Sequence, residues 1–463
     1  MIELNYMNND SQKMLSNKPI GKLLWEFALP ASVGMFVMAL YNIVDTIFVG
    51  RVVGPLGIAG LTIVFPVQML VISLGGMIGI GGASIISRAL GAKDINRAER
   101  TLGNVIFSAS LVGILVTAIA IPNSSFWLQL LGTTDAILPF AKEYMDIVLI
   151  GAVFQTYVFA VNNAVRAEGN ARVAMLTMVI GALANIGLDA LFILKLGMGI
   201  RGAATATVIA QVISTVYVTS YYLTGKSTLK ISVKNFALKV NIMREVLALG
   251  VSTFVRMVAT SFIAVILNRM LGSLGGHIYV AAFGIITRVT MFVLMPIIAI
   301  AQGLQPILGF SYGAKRPDRA IKVINLSVKV ATIIAAAGFL IILFLSEPIA
   351  GIFTNNALLI STSAQAMIII FLAWYLVGFQ AIGSTVFQAI GKARPALFTA
   401  IARQVIFLIP LIFILPIFRQ QDGVWLSFPI ADGLAFAVTM ALFIPQMREF
   451  KKQESLMKGG EGI

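Results

Sequence analysis

The chain has 463 residues, 59% of them hydrophobic and only 11% charged, with a mean hydropathy of +0.94 and a formal net charge of +15. No soluble fold of this length covers so much apolar surface with so few charges, so the natural solvent is a bilayer. With no Cys and a single His, His277, disulfides and thiolate metal sites are excluded and His-based catalysis is confined to one position.

Residues 1–26 carry Glu3, Asp10, Lys13, Lys18, Lys22 and Glu26. They lack the short apolar core and small-residue cleavage site of a signal peptide, so they read as a cytosolic tail followed by a helix that directs its own insertion. A spanning helix needs about 20 mostly apolar residues. Twelve candidates follow, at 27–49, 56–84, 105–121, 138–161, 173–194, 200–223, 246–268, 278–308, 323–345, 364–388, 396–415 and 424–445. The second and eighth are long enough to hide a bend. The runs are continuous rather than alternating, which rules out a transmembrane barrel.

The expected fold is an all-α polytopic membrane protein with twelve transmembrane helices in two pseudo-symmetric six-helix lobes. The N-lobe covers 27–223, a cytosolic linker 224–245, the C-lobe 246–445, and a second cytosolic tail 446–463. His277 falls in the loop between the seventh and eighth helices.

Basic residues sort to one side. The 2–3 loop has Arg88, Lys93, Arg97 and Arg100, the linker Lys226, Lys230, Lys234, Lys239 and Arg244, and the 8–9 loop Lys315, Arg316, Arg319 and Lys322. The opposite side has Arg51, Lys195, Arg201, Arg269 and Arg419. This positive-inside bias puts both termini in the cytoplasm of a multi-pass plasma (inner) membrane protein. It also accounts for the basicity without a nucleic-acid partner.

The chain repeats itself. Gly91-Ala-Lys-Asp-Ile-Asn-Arg-Ala98 recurs as Gly313-Ala-Lys-Arg-Pro-Asp-Arg-Ala320, with five of eight positions identical at an offset of 222. Glu168-Gly-Asn-Ala-Arg-Val-Ala-Met175 matches Ile390-Gly-Lys-Ala-Arg-Pro-Ala-Leu397 at the same offset. Two halves of six helices enter the membrane in the same orientation, related by an axis along its normal. Abundant glycines such as Gly75, Gly79, Gly81 and Gly82 let such helices pack closely.

Ionisable groups in spanning helices are costly and mark function by default. Asp45 lies in the first helix. Asp189 lies in the fifth, four residues after Asn185 and therefore on the same face. Thr207 in the sixth helix and Tyr144 near the start of the fourth add hydroxyls. Carboxylates, an amide and hydroxyls are the hard ligands a small cation wants, as for magnesium and calcium, and by extension sodium. Two carboxylates sharing a desolvated site also keep a proton at neutral pH, so proton and sodium both remain open. Helix capping is the competing reading of the acids, for Asp45 especially. Asp432, the acid within the C-lobe helices, is a candidate secondary relay or a packing group. Arg256 and Arg288 either pair with helix-end carbonyls or shape a cavity. Met35, Met38 and Met69 suit a pliable binding wall or ordinary packing.

Enzyme readings fail on their motifs. Gly225-Lys226-Ser227 imitates the end of a phosphate loop, but its first glycine would fall on Ser220 and no strand precedes it. A channel or receptor explains the duplication and the acid pair less well than a carrier does.

The sequence resembles the multidrug and toxic compound extrusion (MATE) family over about 20–450. The resemblance is carried by Pro30, Asn42-Ile-Val-Asp45-Thr-Ile-Phe-Val-Gly50, Gly57-Ile-Ala-Gly-Leu61 and Ser87-Arg-Ala-Leu-Gly-Ala92. It continues in Arg166-Ala-Glu-Gly169, Asn185-Ile-Gly-Leu-Asp189, Gly202-Ala-Ala204, Gln388-Ala-Ile-Gly391 and Gly423-Val-Trp425. It implies a V-shaped secondary exporter without a cofactor, an antiporter driven by protons or sodium and working by alternating access. Its implied partners are cationic amphipathic compounds and membrane lipid, and the implied state is a monomer. Asp45, Asn185, Asp189 and Thr207 would form the cation site (the sodium ligands, if sodium is the coupling ion), with Tyr144 beside it. Some relatives use acids in the seventh and eighth helices; here neither helix has one. A flippase of lipid-linked precursors is the alternative, but it would want a cation-lined cavity.

Overall fold

The structure, a computed structural model, describes residues 10–460. Residues 1–9 and 461–463, the outer ends of the two expected tails with Glu3 among them, lie outside the described residues.

The chain is helical because its long apolar runs must satisfy every backbone polar group internally in lipid; among the described residues there is no strand. Helix α1 is Asp10–Asn17 and α2 is Ile20–Val52. Helix α2 begins ahead of the apolar run, and Lys18 reaches along its first turns to both oxygens of Glu26 at 2.9 Å. Helix α3, Pro55–Gly91, opens on a proline at a position whose N–H needs no partner. Helix α4, Ile95–Ala120, is capped by Asp94, which accepts from Arg97 N at 2.9 Å. The short α5, Ser124–Leu130, leads to α6, Leu138–Ile150, and α7, Ala152–Ala167, which meet at a 51° bend.

Helix α8, Ala171–Asp189, runs on into a π-helical turn at Ala190–Lys195, and α9 is Gly199–Leu223. A short 3₁₀ turn at Val233–Phe236 precedes α10, Val240–Gly313, which is broken at Gly276 (φ 69°). Helix α11 is Pro317–Gly351, and α12, Ala357–Phe371, meets α13, Trp374–Ala389, at a second 51° bend. Helix α14, Ala393–Ile401, passes through a π-helical segment at Ala402–Leu408 into α15, Ile409–Gly460, broken at Gln420 (φ 46°).

Eight of these helices are long and apolar enough to cross a membrane, and each of the two bent pairs meets the same test jointly. The protein is a multi-pass membrane protein. Large apolar side chains such as Leu40, Phe65, Ile119, Phe262 and Phe344 stand exposed along the helices, as lipid-facing positions do.

The internal repeat is written into the backbone. Left-handed residues recur 222 positions apart as Gly54 and Gly276, Lys93 and Lys315, and Gly169 and Gly391. A non-glycine residue with positive φ is uncommon, so the Lys93–Lys315 match is informative. The two bent pairs, alike in angle, fall at corresponding places.

Contacts gather into two units. One contains Leu29–Phe254, and the other joins Lys18–Ala28 to Val255 and beyond. The divisions fall next to Pro30 inside α2 and within α10, while the linker belongs wholly to the first unit. Asn104 holds the linker there, accepting from Lys239 N at 2.8 Å and donating to Ala237 O at 3.4 Å. Glu245 completes the anchorage, with Arg88 at 2.9 Å and Arg97 at 2.6 Å.

Close helix approach in the first unit depends on small residues. A Cβ at Gly79 would lie 2.7 Å from Ala160 Cα of α7. At Gly81 it would overlap the Val246 carbonyl, and at Gly250 the Met77 carbonyl, so α3 and the start of α10 touch backbone to backbone.

Candidate functional site

The first unit brings together the five residues singled out in its sequence. Asp45 sits well inside α2 and is 7% exposed. Asp189 closes the α-helical part of α8 and is fully buried. The two carboxylates lie within electrostatic reach of each other. Asn185, one turn before Asp189, donates to Thr207 Oγ1 of α9 at 3.4 Å. In the alternative amide orientation it donates instead to Asp189 Oδ2 at 3.1 Å and accepts from Thr207 N at 3.3 Å. Tyr144 of α6 reaches the same group, facing Asp45 and Thr207.

Capping does not account for the acids. Asp45 lies inside α2, Asp189 makes no side-chain capping bond although it stands at the cap position of the π-helical turn, and Oδ1 of each acid is buried with no hydrogen-bond donor. A buried, donor-less carboxylate oxygen is costly. Both acids belong to one buried group with the Asn185 amide and the Thr207 and Tyr144 hydroxyls. Among the described residues no group of three or more His, Cys, Asp and Glu is assembled.

Two members of the group escape the sequence reading. Tyr41 lies one turn before Asp45 on α2, within electrostatic reach of both acids. Gln68 of α3 donates to the Tyr144 hydroxyl at 3.3 Å. Both had a signal in the sequence: Tyr41 by its four-residue spacing from Asp45, Gln68 as an amide in an otherwise apolar run. Tyr144 is itself part of a packed, buried apolar cluster that includes Val49, Val64, Leu128, Met145, Ile193 and Ala203.

In the second unit, Asp432 is fully buried and ion-paired to Arg403, whose Nη2 also reaches Oδ2 at 3.4 Å. Gln380 donates to the Asp432 carbonyl at 2.8 Å. Arg403 was not anticipated; it stands in the π-helical segment that interrupts α14 and α15. The Asp432 carboxylate is held by this guanidinium. Arg256 is half-buried on α10, Arg288 is exposed, and His277 is exposed just beyond the Gly276 break. Met35, Met38 and Met69 are partly buried.

Outside the membrane-spanning segments, Glu168 at the end of α7 is fully buried and accepts from Ser227 Oγ at 2.6 Å. Burial pushes its carboxyl up to about 7, against the opposing effect of its hydrogen bonds. Ser227, from the stretch that imitates a phosphate loop, thus serves to tie the linker to the end of α7.

Known proteins resemble the whole chain. The MatE family profile matches residues 30–191 and again 253–414. The chain is 23% identical over 456 residues to "Multidrug export protein MepA" of Staphylococcus aureus (strain MRSA252), covering 98% of this chain and 100% of that protein. A solved structure described as the outward-facing conformation of a multidrug resistance MATE family transporter of the MOP superfamily superposes with a TM-score of 0.88 at 27% identity, over 96% of this chain and 99% of that one. Another solved chain, described as "protein A", superposes at 0.89 with 40% identity, over 95% and 98%.

Proposed function

The chain belongs to the MatE family, and from that premise we propose that it is a secondary multidrug exporter whose coupling-cation site is the buried group around Asp45 and Asp189. The observation that carries this reading is the pair of buried, donor-less carboxylate oxygens of two mutually interacting acids grouped with Asn185, Thr207 and Tyr144. Such a site gains most when a cation arrives and loses most when it leaves. Its occupancy is therefore a lever on how α2, α8 and α9 pack.

In this reading the molecule has twelve spans in two six-helix lobes, with both termini cytoplasmic. Support comes from the eight apolar helices, the two bent pairs, and the breaks at Gly276 and Gln420. A straight helix of 74 residues would be about 110 Å long, far beyond a hydrocarbon core of about 30 Å. Each break thus divides one long helix into two spans. The backbone repeat at 222 residues supplies two similar bodies, which is what alternating access by rocking requires.

The coupling ion is a proton or sodium. Substrates are amphipathic cations, matched by the acids of the first unit. Proteoliposomes decide the ion: uptake of a cationic dye driven by a pH step in sodium-free buffer assigns the proton, and uptake only under a sodium gradient assigns sodium. Absence of dye transport under either gradient would remove the exporter reading itself.

A further inference from the structure

We propose that the linker 224–245, docked on α4, presents a headgroup site for anionic phospholipid of the cytoplasmic leaflet, centred on Arg100, Lys234 and Lys239. The proposal rests on the reading above that puts this linker on the cytoplasmic side, and adds a lipid partner to it.

The linker and the stretch 88–104 on which it lies hold nine Lys and Arg against three carboxylates, Asp94, Glu99 and Glu245. Those acids are already engaged. Glu245 joins Arg88 and Arg97, Asp94 caps α4, and Glu99 accepts from Lys230 N at 3.1 Å. Arg100, Lys234 and Lys239 are exposed, and among the described residues none of the three side chains has an acid partner. Their charge is left for an anion from outside the chain.

One amide gathers the three positions. Asn104 is fully buried and donates to the Arg100 carbonyl at 2.8 Å and to the Asn235 and Ala237 carbonyls at 3.5 and 3.4 Å. Its oxygen accepts from Lys239 N at 2.8 Å. Gly103 admits the linker, since a Cβ there would overlap the Asn235 carbonyl. The backbone at Arg100, next to Lys234 and at Lys239 is thereby held within reach of one side chain. Two apolar side chains stand out beside these cations: Leu238 is 46% and Val240 76% exposed. The apolar run of the next span begins at residue 246, about 9 Å along the helix from Val240. That is headgroup depth, because a hydrocarbon core of about 30 Å sits in a bilayer of about 40–45 Å. Cations interleaved with exposed apolar side chains at this depth fit lipid better than an acidic protein. The apolar chains enter the acyl boundary while the ammonium and guanidinium groups meet phosphate.

Dioleoyl phosphatidylglycerol and dioleoyl phosphatidylcholine test this, because they share acyl chains and differ in net charge. Each is titrated onto the purified full-length protein in neutral detergent, and bound lipid is counted by native mass spectrometry. The expected result is that the tightest site of the wild type prefers phosphatidylglycerol by about tenfold or more, less so as salt rises. Each cation at the surface contributes about fivefold, so Arg100→Gln/Lys234→Gln/Lys239→Gln should lose that preference. Asn104→Ala should weaken phosphatidylglycerol binding although it removes no cation. Arg51→Gln/Lys195→Gln, on the opposite side, should leave the preference intact. No preference in the wild type, or an undiminished one in the triple variant, would overturn the site. Tight capture of a polyglutamate peptide without a lipid preference would give the face to an acidic protein instead and overturn it too. The chain has no Cys, so a single Lys226→Cys reports which side the linker occupies. Labelling of that thiol in intact cells by a membrane-impermeant maleimide would overturn the cytoplasmic reading on which the site rests. A protected thiol with no lipid preference would overturn the site alone.

Discussion

Asn185 and Thr207 face each other across 3.4 Å, joining α8 to α9 one helical turn from Asp189. Either orientation of the Asn185 amide serves the site: one secures Thr207, the other supports the Asp189 carboxylate. Asn185→Ala removes both options and leaves the acid with one fewer donor. Gradient-driven dye uptake should fall about tenfold or more, since a hydrogen bond to a charged group contributes about 1.5–3 kcal/mol. Thr207→Val should have a smaller effect, because the backbone N–H of residue 207 persists. Initial rates in proteoliposomes at matched protein content check both.

The spacing of Asn185 and Asp189 on one helical face was legible in the sequence, as were the apolar runs and the 222-residue repeat. Those features are local, or are set by identity between distant segments. Tyr41 and Gln68 were less legible because their role depends on how α2, α3 and α6 meet. The Arg403–Asp432 pair joins residues on either side of the Gln420 break, and nothing in a one-dimensional pattern marks a π-helical segment that turns an arginine toward an acid.

That pair makes its own prediction. Removing one partner strands a charge in the helix bundle, which costs about 3–5 kcal/mol, whereas removing both is far milder. Asp432→Asn should therefore lower the melting temperature of the purified protein more than the double variant Arg403→Gln/Asp432→Asn. A double variant that is less stable than either single one would contradict the pairing.

The contact between α3 and α10 is backbone against backbone at Gly81 and Gly250. Gly250→Ala has no room for its methyl group, because the Met77 carbonyl occupies that place. The helices must separate, at a cost of about 1–3 kcal/mol. The thermal melt should shift down by several degrees, whereas Gly284→Ala, where a Cβ meets nothing within 4 Å, should leave it unchanged.

Glu168 gives a pH signature. Its carboxyl is pushed from an ordinary 4.5 up to about 7 by burial, so the folded protein binds the proton more tightly than the unfolded chain. The associated stability is fully present below about pH 4.5 and is lost as pH rises through about 7. Glu168→Gln, which imitates the protonated form, should flatten the fall in melting temperature between pH 5.5 and 8. An unchanged pH profile would show that the carboxyl titrates normally.

The central claim is that the two buried acids of the first unit couple ion movement to export. The most direct measurement compares gradient-driven uptake of a cationic dye by proteoliposomes holding the wild type and the Asp45→Asn/Asp189→Asn double variant, each shown to be folded by its thermal melt. The account predicts that the double variant falls to the rate of protein-free liposomes. Transport by the double variant at the wild-type rate would contradict it.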